Sequence, residues 1–277
     1  MFLHSYNPEP ILISLGPLVI HWYGVFMVLG IIAGLLITFW LAKYYNITSN
    51  LIFDLFFWLI INGIVGARIY DIFLNLNYYI IHPLQTLKIW EGGLAIHGAI
   101  IAGIITILFF AKRQKFNFWK IGALLVPGLA LGQSIGRWGN YFNQELFGLP
   151  TNSIIGIPIN IVNRPNNYIF NDFFQPTFLY ESIGCFLIFL FLMIFNFYFI
   201  KRNSLTNKFY TWSVALYMIL YSILRFILEF IRIDETPYFL GLRFPQIVSI
   251  GIIFIFLLII IFQKNAAKEK SNEENNK

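Results

Sequence analysis

Ten ionisable residues stand among otherwise apolar or glycine-rich stretches of this chain: Arg68, Asp71, Glu91, His97, Arg137, Glu145, Glu181, Arg225, Glu229 and Arg232. A charged side chain deep in a membrane helix costs about 2.5–3.5 kcal/mol on insertion scales, so each calls for a function or a partner. In Tyr221-Ser-Ile-Leu-Arg225-Phe-Ile-Leu-Glu229-Phe-Ile-Arg232 the polar members recur at steps of four, four and three. That spacing predicts one polar helical face with an excess of positive charge, suited to an anion. Guanidinium is the group that grips phosphate oxygens in a bidentate fashion. The stretch from Gly136 to Gly148 sets Arg137 among Asn140, Asn143 and Glu145, and its glycines allow close backbone approach while the amides suit hydroxyl groups. His97, in Gly92-Gly-Leu-Ala-Ile-His97-Gly98, carries an imidazole whose ordinary pKa suits proton transfer.

Two other chemistries are read out of the sequence. Gly132-Gln-Ser134-Ile-Gly136 matches a nucleophile elbow, but that motif needs a strand-to-helix turn, and here it falls in an apolar helix as packing residues. His4, His21, His82 and His97 have no ligand spacing, so no metal is expected. The single cysteine, Cys185, sits in an apolar run as a small buried side chain.

The elements that must carry these groups are membrane helices. Of 277 residues, 58% are hydrophobic and only 12% charged, about half the charged share of a soluble domain. Apolar runs predict an all-α, polytopic helix bundle of about seven spans: Leu18 to Ala42, Leu51 to Leu74, Gly93 to Ala111, Ile121 to Ile135, Phe178 to Ile200, Phe209 to Ile231 and Phe244 to Phe262. The net charge of +6 lies mostly in Lys43, in Lys112 to Lys120, in Lys201 to Lys208 and after Lys264, in alternate connections. That is topology rather than a nucleic-acid footprint, and it places those loops in the cytoplasm, the N-terminus outside and the C-terminus inside. The segment Asn75 to Gly92 is expected along the interface, and residues between the fourth and fifth helices are expected to form a small external subdomain. One membrane domain over 1–265 and a disordered tail over 266–277 complete the expected organisation. Arg137 is placed at the outer end of the fourth helix and His97 at the start of the third. At 1.5 Å per residue Arg225 lies roughly 24 Å from the cytoplasmic start of its helix, so all three point to an anion site in the outer leaflet.

Together, His21-Trp-Tyr23-Gly24, Gly66-Ala-Arg68, Glu91 through Gly98, Gly136 through Gly148, Pro176 through Glu181 and Tyr221 through Arg232 resemble the bacterial prolipoprotein diacylglyceryl transferase family over nearly the whole chain. The resemblance implies a plasma-membrane (inner-membrane) enzyme that moves the diacylglyceryl group of phosphatidylglycerol to the lipobox cysteine of a preprolipoprotein signal peptide. It implies no cofactor, and release of glycerol phosphate. It further implies catalytic roles for His97, Arg137, Arg225 and Tyr221. Asn140, Asn143, Glu145, Gly148, Tyr23, Arg68, Glu229 and Arg232 join Arg137 around the membrane lipid. A transporter of an anionic solute, using the same arginines, is the competing reading, although no paired repeat is evident.

Overall fold

The structure is a computed structural model that describes residues 2–16 and 18–275. In chain order it comprises α1 (Phe2–Ser5), β1 (Ile11–Leu15), β2 (Leu18–His21), α2 (Trp22–Ala42), α3 (Ser49–Leu74), α4 (Leu76–Ile81), α5 (Ile96–Arg113), α6 (Phe118–Phe142), β3 (Ile157–Pro158), β4 (Phe173–Phe174), α7 (Thr177–Lys201), α8 (Asn207–Leu228), β5 (Tyr238–Phe239), β6 (Leu242–Arg243) and α9 (Phe244–Asn275). Among the described residues seven helices, α2, α3 and α5 to α9, are long and apolar enough to cross a membrane. A polytopic membrane protein is the result, as the apolar runs predict.

The ends of those runs are less regular than the sequence implies. Residues 18–21 do not begin the first span; they pair antiparallel with β1, Leu15 opposite Leu18 and Ser14 opposite Val19. Gly16, at φ +61°, supplies the left-handed turn conformation between two β-branched runs. The third span starts at Ile96 rather than Gly93, because Gly92 and Gly93 both have positive φ and cannot continue a helix. Nor is the fourth span short. Its glycines at 136 and 139 remain helical, so Arg137 lies inside α6 instead of closing it. The sixth span ends at Leu228, which leaves Glu229 as its cap and Arg232 beyond the helix. Helix α9 runs on to Asn275, through most of the segment expected to be a disordered tail; residues 276 and 277 lie outside the described residues.

The chain forms two compact units, Met1–Ile37 with Leu125–Lys277, and Thr38–Leu124. In the first, α2 and α6 run antiparallel at close range: a Cβ on Gly30 would lie 2.8 Å from the Gly132 carbonyl oxygen, and one on Gly34 would lie 3.0 Å from that of Gly128. Two G-x-x-x-G stretches thus face each other, and the absence of side chains lets the backbones touch where no hydrophobic effect drives helices together. Helices α6 and α7 are joined by a reciprocal pair of hydrogen bonds, Ser134 Oγ to Ser182 O at 2.8 Å and Ser182 Oγ to Ser134 O at 2.7 Å. Between α6 and α7, Phe147, Ile157, Ile159 and Phe174 build a separate core with Tyr141 and Phe178. The N-terminal segment is tied to it: His4 stacks on Phe173 at 4.0 Å and Gln144 Nε2 donates to Pro8 O at 2.7 Å.

In the second unit α3 and α5 are antiparallel, with Asn62 Nδ2 donating to Thr106 Oγ1 at 2.9 Å and Gly66 packed on Gly98. Their connection, α4 and two 3-10 turns, exposes Ile80, Ile81, Leu84, Leu87 and Trp90. The Lys88 amine, 3.0 Å from Glu91, holds that carboxyl below its ordinary range.

Gly30→Leu is expected to separate α2 from α6 and to destabilise the protein by on the order of 1–3 kcal/mol, the usual cost of overpacking. Gly251→Leu, on α9 where an added Cβ meets nothing within 4 Å, is the control. Thermal unfolding in detergent should show a lower Tm for the first and an unchanged Tm for the second.

Candidate active site

The site in the first unit is built from the α6, α7 and α8 ends that meet near Glu181. A carboxylate there, one turn into an apolar helix and 2% exposed, needs polar partners to offset its burial. Two guanidiniums supply them. Arg137 on α6 places Nη2 2.8 Å from Glu181 Oε1, and Arg225 on α8 places Nη1 3.6 Å from Glu181 Oε2. Tyr221, one turn before Arg225, donates its hydroxyl hydrogen to Glu181 Oε1 at 3.1 Å and accepts from Arg137 Nη2 at 3.3 Å. Its ring stacks on Tyr217, whose own hydroxyl donates to Gln133 Oε1 at 2.9 Å. Tyr221, Arg137 and Arg225 are therefore fixed by one buried acid.

The network continues in both directions. Arg137 Nη1 donates to Asn140 Oδ1 at 3.4 Å, and the Asn140 amide donates to Glu145 Oε1 at 2.7 Å. Asn143 reaches the same oxygen at 3.5 Å. Gln144 and Leu146 adopt left-handed backbone conformations, which turn the chain sharply after α6 and direct Glu145 back toward these amides. On the other side Arg225 Nη2 contacts Glu229 Oε1, one helical turn on. Glu229, 1% exposed, also pairs with Arg232 at 3.7 Å and with Arg243 at 2.7 Å. Asp234 takes Arg232 Nε at 2.7 Å and Arg243 Nη2 at 3.3 Å. Four guanidiniums thus pair directly with three carboxylates, Glu181, Glu229 and Asp234, and a positive charge remains over before the more distant Glu145 is counted.

Where the remaining sequence-predicted residues fall can be stated one by one. Tyr23, at the start of α2, packs on the backbone of Gly139, where an added Cβ would be 2.7 Å from its ring. Gly148 is a crossing point rather than an open cradle. Its N–H donates to Gln175 O at 2.9 Å, it bridges to Arg232, and a Cβ would lie 3.0 Å from Ile231 O. Arg232 is not on the helical face expected for it, because the chain leaves α8 at Glu229; the ion pairs with Glu229 and Asp234 hold it in the turn instead. Arg68 and His97 belong to the second unit. Arg68 is 8% exposed in its side chain, and all of its N–H groups are directed at carbonyl oxygens of residues 85–93. Its donors are thus all engaged by backbone oxygens of its own unit, whereas the sequence reading expects it among the lipid-binding residues. His97 is the second residue of α5, exposed, with its ring 5.9 Å from that of Tyr70.

Ser134 is no nucleophile: its hydroxyl is buried and donates to the Ser182 carbonyl. Among the described residues no three His, Cys, Asp or Glu side chains converge as a metal site requires. Glu181 and Arg243 are the participants that residue-level reading leaves unassigned. Glu181 did leave a signal, being the only ionised group in the expected span Phe178 to Ile200, whereas Arg243 stands at the foot of the last span like an ordinary flanking cation.

Comparison with known proteins follows the same residues. The model of the prolipoprotein diacylglyceryl transferase family matches residues 10–262. A Nostoc sp. phosphatidylglycerol-prolipoprotein diacylglyceryl transferase is 40% identical over 248 residues, covering 88% of this chain and 85% of the relative. Enzymes of that name from Synechococcus elongatus, 40% identical with 92% and 88% covered, and from Synechocystis sp., 38% identical with 94% and 92% covered, are similar throughout. A span of that length, containing every residue of the Arg137–Glu181–Arg225 cluster, means that the chain belongs to the prolipoprotein diacylglyceryl transferase family.

Proposed function

We infer that this chain transfers the diacylglyceryl group of phosphatidylglycerol to the lipobox cysteine of preprolipoproteins in a bacterial plasma membrane, the first step of lipoprotein maturation. The cysteine sulfur forms a bond to the glyceryl CH2 carbon, the bond from that carbon to the phosphate oxygen breaks, and the electron pair leaves with glycerol phosphate. The thiol proton passes to a base. Two tasks follow for the protein: to remove a proton from a thiol of ordinary pKa near 8.5, and to hold the charge of the departing phosphate.

The observation that supports the second task is the pairing of Arg137 and Arg225 over Glu181. Both side chains keep some exposure, 23% and 19%, and the contact of Arg225 Nη1 with Glu181 Oε2, at 3.6 Å, is looser than that of Arg137. Each guanidinium is oriented by a carboxylate on one side and retains hydrogens for an anion on the other. We assign the phosphodiester to Arg137 and Arg225, with Tyr221 donating to a phosphate oxygen once the lipid is bound. Asn140, Asn143 and Glu145 take the hydroxyl groups of the glycerol headgroup, and Tyr23 borders them. Glu229 and Arg232 orient Arg225 from behind. His97 accepts the thiol proton. By the positive-inside rule the site faces the extracytoplasmic leaflet, because Lys201, Arg202 and Lys208 lie at the opposite ends of α7 and α8. The segment between α6 and α7 then stands outside, where a signal peptide presents its cysteine. The transporter reading loses its ground to family membership.

Incubation of the purified protein with phosphatidylglycerol and a lipobox peptide, followed by mass spectrometry, tests the reaction: a diacylglyceryl adduct on the cysteine is expected, and an unmodified peptide would refute it. Arg137→Lys keeps the charge but loses the planar fork, and a rate at least about 100-fold lower is expected, the scale on which losing one charge-stabilising donor acts. Ser134→Ala should retain its activity. His97→Ala is expected to lower kcat by about 100-fold or more, within the usual range for a general base, and an unchanged rate would remove that assignment alone.

A further inference from the structure

Arg68 has a degree of engagement that no other cation of the second unit shares. Nε donates to Thr86 O at 3.1 Å, Nη1 to Gly92 O at 2.7 Å and Gly93 O at 2.9 Å, and Nη2 to Lys88 O at 3.2 Å and to Gln85 O. Asp71 adds a carboxylate at 3.9 Å and itself accepts from the Tyr79 hydroxyl at 2.6 Å, which raises that phenol above its ordinary pKa. The backbone it captures is unusual. Gly92 and Gly93 have φ of +98° and +70°, which turns both carbonyls toward one nitrogen, and a Cβ on Gly93 would lie 2.7 Å from the Asp71 carboxylate. Immediately afterwards Ala95 N donates to Ala67 O at 3.1 Å, helix α5 begins at Ile96, and His97 sets its ring beside Tyr70. Residues 67, 68 and 70 of α3 thus meet the chain at the Gly92-Gly93 turn, at Ala95 and at the His97 ring.

We propose that Arg68 is a positioning residue: it clamps the Gly92-Gly93 turn and so sets the direction of the His97 imidazole, and it does not contact the lipid. The catalytic part of this rests on the reading of His97 as the proton acceptor. Arg68→Lys retains the charge but has at most three donors and no planar fork, so it cannot satisfy five carbonyls. For the full-length enzyme in detergent, Arg68→Lys is expected to lower kcat by about 10- to 100-fold, as a misplaced catalytic group does, with KM for phosphatidylglycerol unchanged. In a His97→Ala background the same substitution should produce no further loss beyond about twofold, since coupled residues are non-additive. The imidazole signals of His97, identified by their loss in His97→Ala, should shift while those of His4 and His21 stay in place. Gly93→Ala, whose Cβ would press on Arg68 Nη1 and the Asp71 carboxylate and so disturb the same clamp without removing the guanidinium, should reproduce that shift and serves if Arg68→Lys unfolds. A raised KM with kcat intact, additive losses in the double variant, or unmoved His97 signals would each overturn the proposal. Full activity in His97→Ala accompanied by a His97 shift in Arg68→Lys would remove the proton-acceptor role and leave the clamp standing.

Discussion

Placing a carboxyl group one turn inside an apolar helix obliges the surrounding fold to supply partners, and the first unit is organised around that obligation at Glu181. Removing one partner of such a group is destabilising by roughly 3–5 kcal/mol, because the other charge is left buried. Arg137 from α6 and Arg225 from α8 therefore have to arrive together. Arg225 in turn draws Glu229, and Glu229, almost fully buried, draws Arg232 and Arg243. This succession explains why the chain leaves α8 at Glu229: only a turn followed by the β5–β6 hairpin brings Asp234 and Arg243 back to the same carboxylates.

Glycine meets two separate physical demands in this chain. At Gly30, Gly34, Gly128 and Gly132 it is the absence of a side chain that matters, because helix backbones approach to contact distance and set α6, with Arg137, against α2, with Tyr23. At Gly92 and Gly93 it is the left-handed backbone that matters, since two carbonyls must face one guanidinium nitrogen. Gly139 belongs to the first kind, its bare backbone leaving room for Tyr23 beside a helix that continues to Phe142.

The seven spans were legible because a run of apolar residues long enough to cross a bilayer has few other uses, and the Tyr221-Arg225-Glu229 face followed from spacing alone. The ends of the spans were not legible. Leu18 to His21 is as apolar as a helix start, and only pairing with Ile11 to Leu15 makes it a strand. Arg232 continues the helical spacing on paper, yet its ion pairs hold it in a turn beyond the helix. Glu181 was visible as a charge out of place, but which arginines it serves depends on three helices meeting. The surroundings of Arg68 were hidden for a different reason. Its partners are backbone carbonyls, which every residue carries and which no sequence pattern announces.

Five arginines divide by the state of their donors. Arg68 is directed entirely at loop carbonyls. Arg164 is held by Ile159 O, Ile169 O and Asp172, and Arg243 by Glu229, Asp234 and two backbone carbonyls. Each of these joins segments of its own unit and has little left to offer a ligand. Arg137 and Arg225 differ in the respect that counts for binding: at 23% and 19% they are the more exposed of these arginine side chains. A phosphate oxygen meeting these two guanidiniums would be stabilised at the place where charge develops in the reaction. Arg225 is in turn held from behind by Glu229, which Arg232 and Arg243 pair with on their own side.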